Sequence, residues 1–440
     1  MRESFGTARA TRALATAALI ASAGCSAGSS GAASAAGAHS PNTPPATFAA
    51  ASARPDESLP ARPTLPTTGA RTPLADLLVL RGPGGSTVVD SATGRTRTSA
   101  AGAIPAPDGA TLIRAAGGTL SAVDSRDGST RDLGTATPPL VPAVTTSDGR
   151  RVALAEPAAA PAADGYIAPG RQTSRIAVTG GSGSPTVFEL AGNYQPEAFS
   201  IDGRLLFLIE YLPPAAPNRY RVRQLDLATG TVNGVLGPQK QLLEEEMRGI
   251  GRMQLLDERR SVLYTLYRTM GSDRAFVHTL HLDGLWAHCI VLPPEFGRGG
   301  ADTAIAIGPT GTLYAWDGSH MSVVDAEQLS VRRTVPIGSG GPASSVAVAV
   351  GADGTVVTVT GATVTELRPS SLEAMPSWSL PDPAAQIALS ADGKSLYAVN
   401  PTSPTSPTYI ATLDRDSHAT LGRFAVPDGN DWISAVLPKT

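Results

Sequence analysis

From Leu74 onward the chain alternates short apolar runs with short polar turns, and the turns come in two recurring kinds. The first sets Asp-Gly between two apolar runs, as in Pro107-Asp108-Gly109 before Thr111-Leu112-Ile113, Ser147-Asp148-Gly149 before Val152-Ala153-Leu154, and Ile201-Asp202-Gly203 before Leu205-Leu206-Phe207. It returns at Thr310-Gly311, Asp353-Gly354 and Asp392-Gly393. Asp-Gly in such a setting marks a hairpin, because it supplies the positive φ angles of a tight reversal. The second kind usually follows by 14 to 23 residues: Val89-Asp90 with Thr93-Gly94, Val123-Asp124, Leu225-Asp226 with Thr229-Gly230, Val324-Asp325 and Leu413-Asp414. Two hairpins per repeat make a four-stranded antiparallel sheet, and a series of such sheets makes a propeller. The glycine pairs 109 and 149, 311 and 354, and 354 and 393 are 40, 43 and 39 residues apart, a blade-sized period.

The pattern predicts an all-β fold of eight such sheets, over 77–104, 105–137, 138–192, 193–238, 246–294, 300–338, 341–380 and 383–427, with seven blades as the alternative. The first sheet lacks the apolar strand that opens every other repeat. The orphan segment 431–437, Asp-Trp-Ile-Ser-Ala-Val-Leu, matches such a strand, so the C-terminus is expected to close the ring by completing the first blade. Closure would also remove an open sheet edge. A pair of β-sandwiches would give strands at similar spacing, but not two alternating turn chemistries. A helical turn or two is expected in 238–247, around Glu244-Glu245-Glu246, linking the fourth and fifth blades.

In its apolar strand, its Ser/Pro-x-Asp-Gly turn and its later Val-Asp-x-x-Thr-Gly turn, the chain resembles the secreted YVTN-type and WD-like bacterial propellers, over about residues 77–437. The resemblance implies the fold. It leaves function open, because one propeller framework hosts binding proteins and enzymes alike.

The N-terminus changes where this propeller is expected to work. Arg2, Arg9 and Arg12 precede an apolar stretch at 13–21 and then Ser22, Ala23, Gly24 and Cys25, the order of a secretory signal in 1–24. The apolar stretch is too short to span a bilayer. Ala23-Gly24-Cys25 resembles the lipobox of bacterial lipoproteins, which implies a diacylated Cys25, although Ser22 stands where that family prefers Leu. Residues 25–73, rich in Ala, Ser, Thr, Gly and Pro, read as a disordered tether reaching on the order of 40 Å. Residues 74–440 would then sit at the outer face of the bacterial cell membrane, or, with plain cleavage after Ala23, be secreted in soluble form. Two acyl chains suffice for stable anchoring where one does not.

Composition agrees with short strands and many turns: 17% of residues are charged, with 46 Gly and 37 Pro. A formal net charge of −3 gives no basic footprint, so nucleic acid is excluded as a partner and a monomer is expected.

Candidate chemistry is sparse. His278, His281, His288 and Cys289 have the residue types of a zinc site. A hairpin at Asp283-Gly284, however, pairs His281 with Trp286, Thr279 with His288 and His278 with Cys289, which puts the four side chains on two faces. Gly393-Lys394-Ser395 lacks the strand-to-helix setting of a phosphate loop, and the Gly-x-Ser-x-Gly match at 24–28 falls on the export cleavage site. Large polar residues gather instead in the links between blades, where ligand-binding groups on rigid scaffolds are usually found. Tyr194, Arg248, Arg252, Glu295, Asp302, Asp431 and Trp432 are therefore the candidate ligand-binding residues, facing a central funnel on the inter-blade-loop side.

The expectation is a non-catalytic surface lipoprotein that binds a protein, peptide or envelope glycan, with no catalytic residue and no cofactor. The alternative is a lactonase-like propeller hydrolase with a divalent cation held in the funnel.

Overall fold

The computed structural model describes residues 76–82, 84–157, 168–180, 184–243, 246–248, 250–268, 274–296, 302–338, 345–400, 408–426 and 432–439. The expected signal and tether, with Cys25, and Asp431, Glu244 and Glu245 lie outside the described residues. The described chain forms eight four-stranded antiparallel blades, the number read from the turns. Blades two to eight each begin on their innermost strand, at Ile104–Pro105, Val141–Thr145, Asn193–Phe199, Ile250–Asp257, Ala304–Ile307, Val346–Val350 and Gln386–Leu389. These first strands meet one another around the axis, while the core fills the seams between neighbouring blades.

Blade one takes its innermost strand from the other end of the chain. Trp432–Leu437 pairs with Leu77–Gly82, setting Leu77 opposite Leu437 and Leu80 opposite Ile433, as the orphan segment predicted. Side chains reinforce the closure. Gln386 of blade eight donates to the Ile433 carbonyl (2.8 Å) and accepts from the Ile433 amide (2.7 Å). The buried Tyr397 hydroxyl donates to Asp76 at 2.7 Å, and the Lys439 ammonium reaches Asp90 at 2.9 Å.

The turns work somewhat differently from the sequence expectation. In most Asp-Gly hairpins glycine is left-handed, as at Gly203 (φ 66°), whereas at Asp283-Gly284 the left-handed residue is Leu285 (φ 57°), and the aspartates keep negative φ. The aspartate contributes through its carboxylate. Ser200 Oγ donates to Asp202 (2.7 Å) while accepting from the Leu205 amide (3.0 Å), and the Arg204 amide donates to Asp202 (3.0 Å). Thr146 with Asp148, and Ser390 with Asp392, repeat this arrangement. In the second turn Asp226 caps the amides of Ala228 and Thr229 at 2.9 and 3.0 Å. These residue types satisfy backbone donors that the reversal would otherwise leave open.

The bonds have a pH consequence. At Asp202 the bond from the Arg204 amide, and at Asp226 that from the Thr229 amide, hold the carboxyl below its ordinary value. At Asp90 burial pushes the other way, but Lys439, Arg97 and Thr93 outweigh it. A carboxyl lowered on folding adds stability that is fully present above its unfolded value, about 3.9, and is lost as pH falls toward the folded one. Asp90→Asn should therefore cost about 2 kcal/mol at pH 7, and its deficit against wild type should shrink in urea melts run progressively below pH 4. A deficit independent of pH would contradict this.

Two features were not anticipated. The helix expected in 238–247 is absent from the described part of that segment: Lys240 is left-handed (φ 60°), Leu242–Leu243 pairs with Val235 and Leu236, and Met247 pairs with Tyr220. The open edge of blade four offers unpaired backbone groups, and pairing with them overrides a local helical preference. Leu236 also pairs in parallel with Trp286, so the outer strands of blades four and five are joined into one sheet. Second, the innermost strands of blades one, three, four and five each skip one residue in register, leaving Ser434, Ala143, Glu197 and Arg252 unpaired. Bulges of this kind increase twist and re-aim a side chain.

Candidate ligand-binding cleft between blades four and five

The bulge at Glu197 builds the most distinctive polar group on the inner side of the ring. Gln254, on the innermost strand of blade five, donates its amide to the Glu197 carboxyl at 2.7 Å and lies 3.3 Å from Thr265 Oγ1. Two residues earlier on blade four, Gln195 accepts from the Tyr211 hydroxyl at 3.0 Å. Solvent touches Glu197 only in part, and protein surrounds the rest. That burial pushes its carboxyl up to about 7, against the opposing effect of the Gln254 bond.

Behind this polar edge a row of rings fills the seam. Tyr211, Tyr220, Tyr267 and Phe276 follow one another at centroid distances of 6.2, 5.1 and 5.3 Å. Burial, and then the charge of Glu197, raise the Tyr211 and Tyr267 phenols above their ordinary range. The inner end of this seam therefore presents amides, hydroxyls and a carboxyl raised by burial, backed by aromatic faces.

The carboxyl's shift gives a sign. A group raised on folding lends stability that is present below its unfolded value, about 4.3, and lost as pH rises through the folded one. Glu197→Gln should therefore gain on wild type between pH 4 and 7 and keep a constant gap above about 7.5 in chemical denaturation, because the amide never ionises. A gap unchanged across that window would place Glu197 in an ordinary solvated setting.

The candidates chosen from the sequence are spread more widely. Tyr194 turns into the seam between blades three and four, where its hydroxyl lies 3.3 Å from Glu210. Glu210 is in turn held by Arg221 (2.5 Å) and Arg223 (2.8 Å), which outweigh burial and keep it ionised. Arg248 is exposed on the link from blade four to blade five, beside Met247. Arg252 occupies the bulge of blade five, in the position Glu197 holds on blade four. Glu295 lies on a 3₁₀ turn at 294–296 with a buried Oε2 that has no hydrogen-bond partner among the described residues, and Asp302 follows on the same link. Trp432 opens the closing strand opposite Arg81, on the far side of the ring from blade five. Glu197 was not among the candidates chosen from the sequence, and neither were Gln195, Tyr211 and Gln254. An unpaired bulge position leaves no mark in a single sequence.

The His278, Thr279 and His281 pairings with Cys289, His288 and Trp286 are as the Asp283-Gly284 hairpin predicted. His281 stacks on Trp286 at 3.5 Å between centroids.

No family model and no curated protein matches the chain. Among solved structures it is similar to apo AztD from Citrobacter koseri, at 15% identity over 81% of this chain and 96% of that one, with a TM-score of 0.47. It is also similar to Saccharomyces cerevisiae Sqt1, at 10% identity over 74% of this chain and 86% of that one (TM-score 0.46). A third, from Bacteroides uniformis and provisionally described as a 6-phosphogluconolactonase, shares 13% identity over 83% of this chain and 99% of that one (TM-score 0.41). Similarity at this level carries nothing about ligand or activity. The eight blades themselves define the chain as a β-propeller.

Proposed function

We propose that this is an exported, lipid-anchored envelope protein whose propeller binds a protein, peptide or envelope glycan without turning it over. The observation that carries the reading is the Glu197–Gln254 pair on adjacent innermost strands, with Gln195 and, from the second strand of blade four, Tyr211 beside it, in front of aromatic faces. A few polar groups set in a largely apolar and aromatic cleft are the usual make-up of a small-ligand site. Arg248, Glu295 and Asp302 stand on the next two links. The test is binding of the full-length detergent-solubilised protein to arrays of envelope glycans and peptides. Glu197→Ala with Gln254→Ala should abolish the hits, as should joint substitution of Arg248, Glu295 and Asp302. Retention in both variants would overturn the placement, and release of a cleaved ligand would overturn the non-catalytic reading.

One observation favours the hydrolase alternative. A carboxyl poised near 7 suits general acid–base work at neutral pH. Under that reading, lactone hydrolysis should appear when calcium or zinc is added and fall at least about a hundredfold in Glu197→Gln. Attachment is tested separately: Cys25→Ala should move the protein from the membrane fraction to the medium, and unchanged fractionation would remove the anchor from the proposal.

A further inference from the structure

Met247 and Cys289 meet in the seam between blades four and five, on the outer side of the tyrosine row, and His278 lies across the ladder from Cys289. They arrive from three elements: the link that pairs with Tyr220, the third strand of blade five at Ala275–His281, and its fourth strand at Trp286–Val291. The ladder sets His278 directly across from Cys289, on the face turned to blade four. Directly opposed residues carry Cβ atoms about 4.5–5.5 Å apart, so the imidazole and the thiol reach one point between them. The Cys289 Sγ and Met247 Sδ atoms are 3.9 Å apart. Two sulfurs each about 2.3 Å from one ion, at an angle of about 115°, lie about 3.9 Å apart, so the spacing needs no adjustment to accept a metal.

We infer that Met247, His278 and Cys289 form a binding site for a single Cu(I) ion. A thioether, a thiolate and a neutral imidazole are a soft set, which selects Cu(I), whereas calcium and magnesium demand oxygen. The set differs from the four-residue zinc reading, because His281 and His288 point to the other face and Met247 replaces them. Tyr220, Tyr267, Phe276 and Leu280 wall the site with apolar surface, and limiting water favours the monovalent ion. Binding replaces the Cys289 S–H bond by a Cu–S bond and releases one proton, with no change in oxidation state.

The test uses the full-length protein under anaerobic conditions, with Cu(I) supplied as its bathocuproine disulfonate complex. Wild type should withdraw one Cu(I) per chain from the chelator, with X-ray absorption showing sulfur neighbours at about 2.3 Å. Met247→Leu, which keeps the side-chain volume, should weaken retention by at least about tenfold, and Cys289→Ser by at least about a hundredfold, with thermal melts as the folding control. No withdrawal by wild type would overturn the inference and reduce the sulfur pair to an S–H···S contact. Equal retention in Met247→Leu would also overturn it, by placing the copper elsewhere. Neither outcome touches the glycan or peptide reading of the Glu197 cleft.

Discussion

A chain ending at Val426 should not form a stable ring. The truncation removes Trp432–Leu437, exposing Leu78, Val79 and Leu80 along the open edge of blade one and deleting the buried Ile433 and Leu437. Each large apolar side chain taken out of the core costs about 1.5–3 kcal/mol, so the five together reach about 7–15 kcal/mol. That is comparable with the entire stability of an ordinary domain, about 5–15 kcal/mol. Gln386 and Tyr397 lie against the same seam, and Gln386 would lose both bonds to Ile433. Circular dichroism should show a broad, early transition, and size-exclusion chromatography should show association through the uncovered strand. A chain ending at Pro438 is the control: it keeps the strand, loses only the Lys439–Asp90 pair, and should melt within a few degrees of wild type. Equal melting temperatures for the two truncations would mean that the closing strand carries no load.

The second large effect belongs to Glu366 and Arg415, which join blades seven and eight. Arg415 donates from Nε (3.1 Å) and Nη2 (2.7 Å) to the two carboxylate oxygens, and Nη1 donates to the Gly393 carbonyl. Both side chains are only 11% exposed. Glu366→Ala leaves a guanidinium in the seam without its counter-charge, which should cost about 3–5 kcal/mol in urea denaturation. Glu366→Leu combined with Arg415→Met removes both charges and should recover most of that loss, because a buried pair gains little over apolar packing of similar size. If the double variant is as weak as the single, geometry at this seam matters more than charge.

The architecture was legible because the information is local. Asp-Gly and Val-Asp-x-x-Thr-Gly each build a turn from residues within six positions of one another, and their spacing is the blade. The closing strand was legible by subtraction, as an apolar strand with no partner in a repeat that lacked one. The pairing of His278 with Cys289 followed from a two-residue turn and a period of two. What escaped notice depends on contacts between blades. Leu242–Leu243 reads as helical in isolation and becomes a strand only because blade four presents an edge. Glu197 stands out through a skipped register and through Gln254, 57 residues away on another blade. Met247 and Cys289 are 42 residues apart and meet only once the link folds over the seam.

The main-chain tie between Leu236 and Trp286 bears on affinity. Among the described residues the other seams pack mainly through side chains, although the Arg171 amide also bonds the Pro214 carbonyl between blades three and four. Blades four and five are fastened at their outer rim by backbone, so the cleft at their inner edge is bounded by one stiff wedge. Under the proposed binding reading, a ligand settling against Glu197 and Gln254 would find no hinge to freeze, and little of its contact energy would be spent on ordering the receptor.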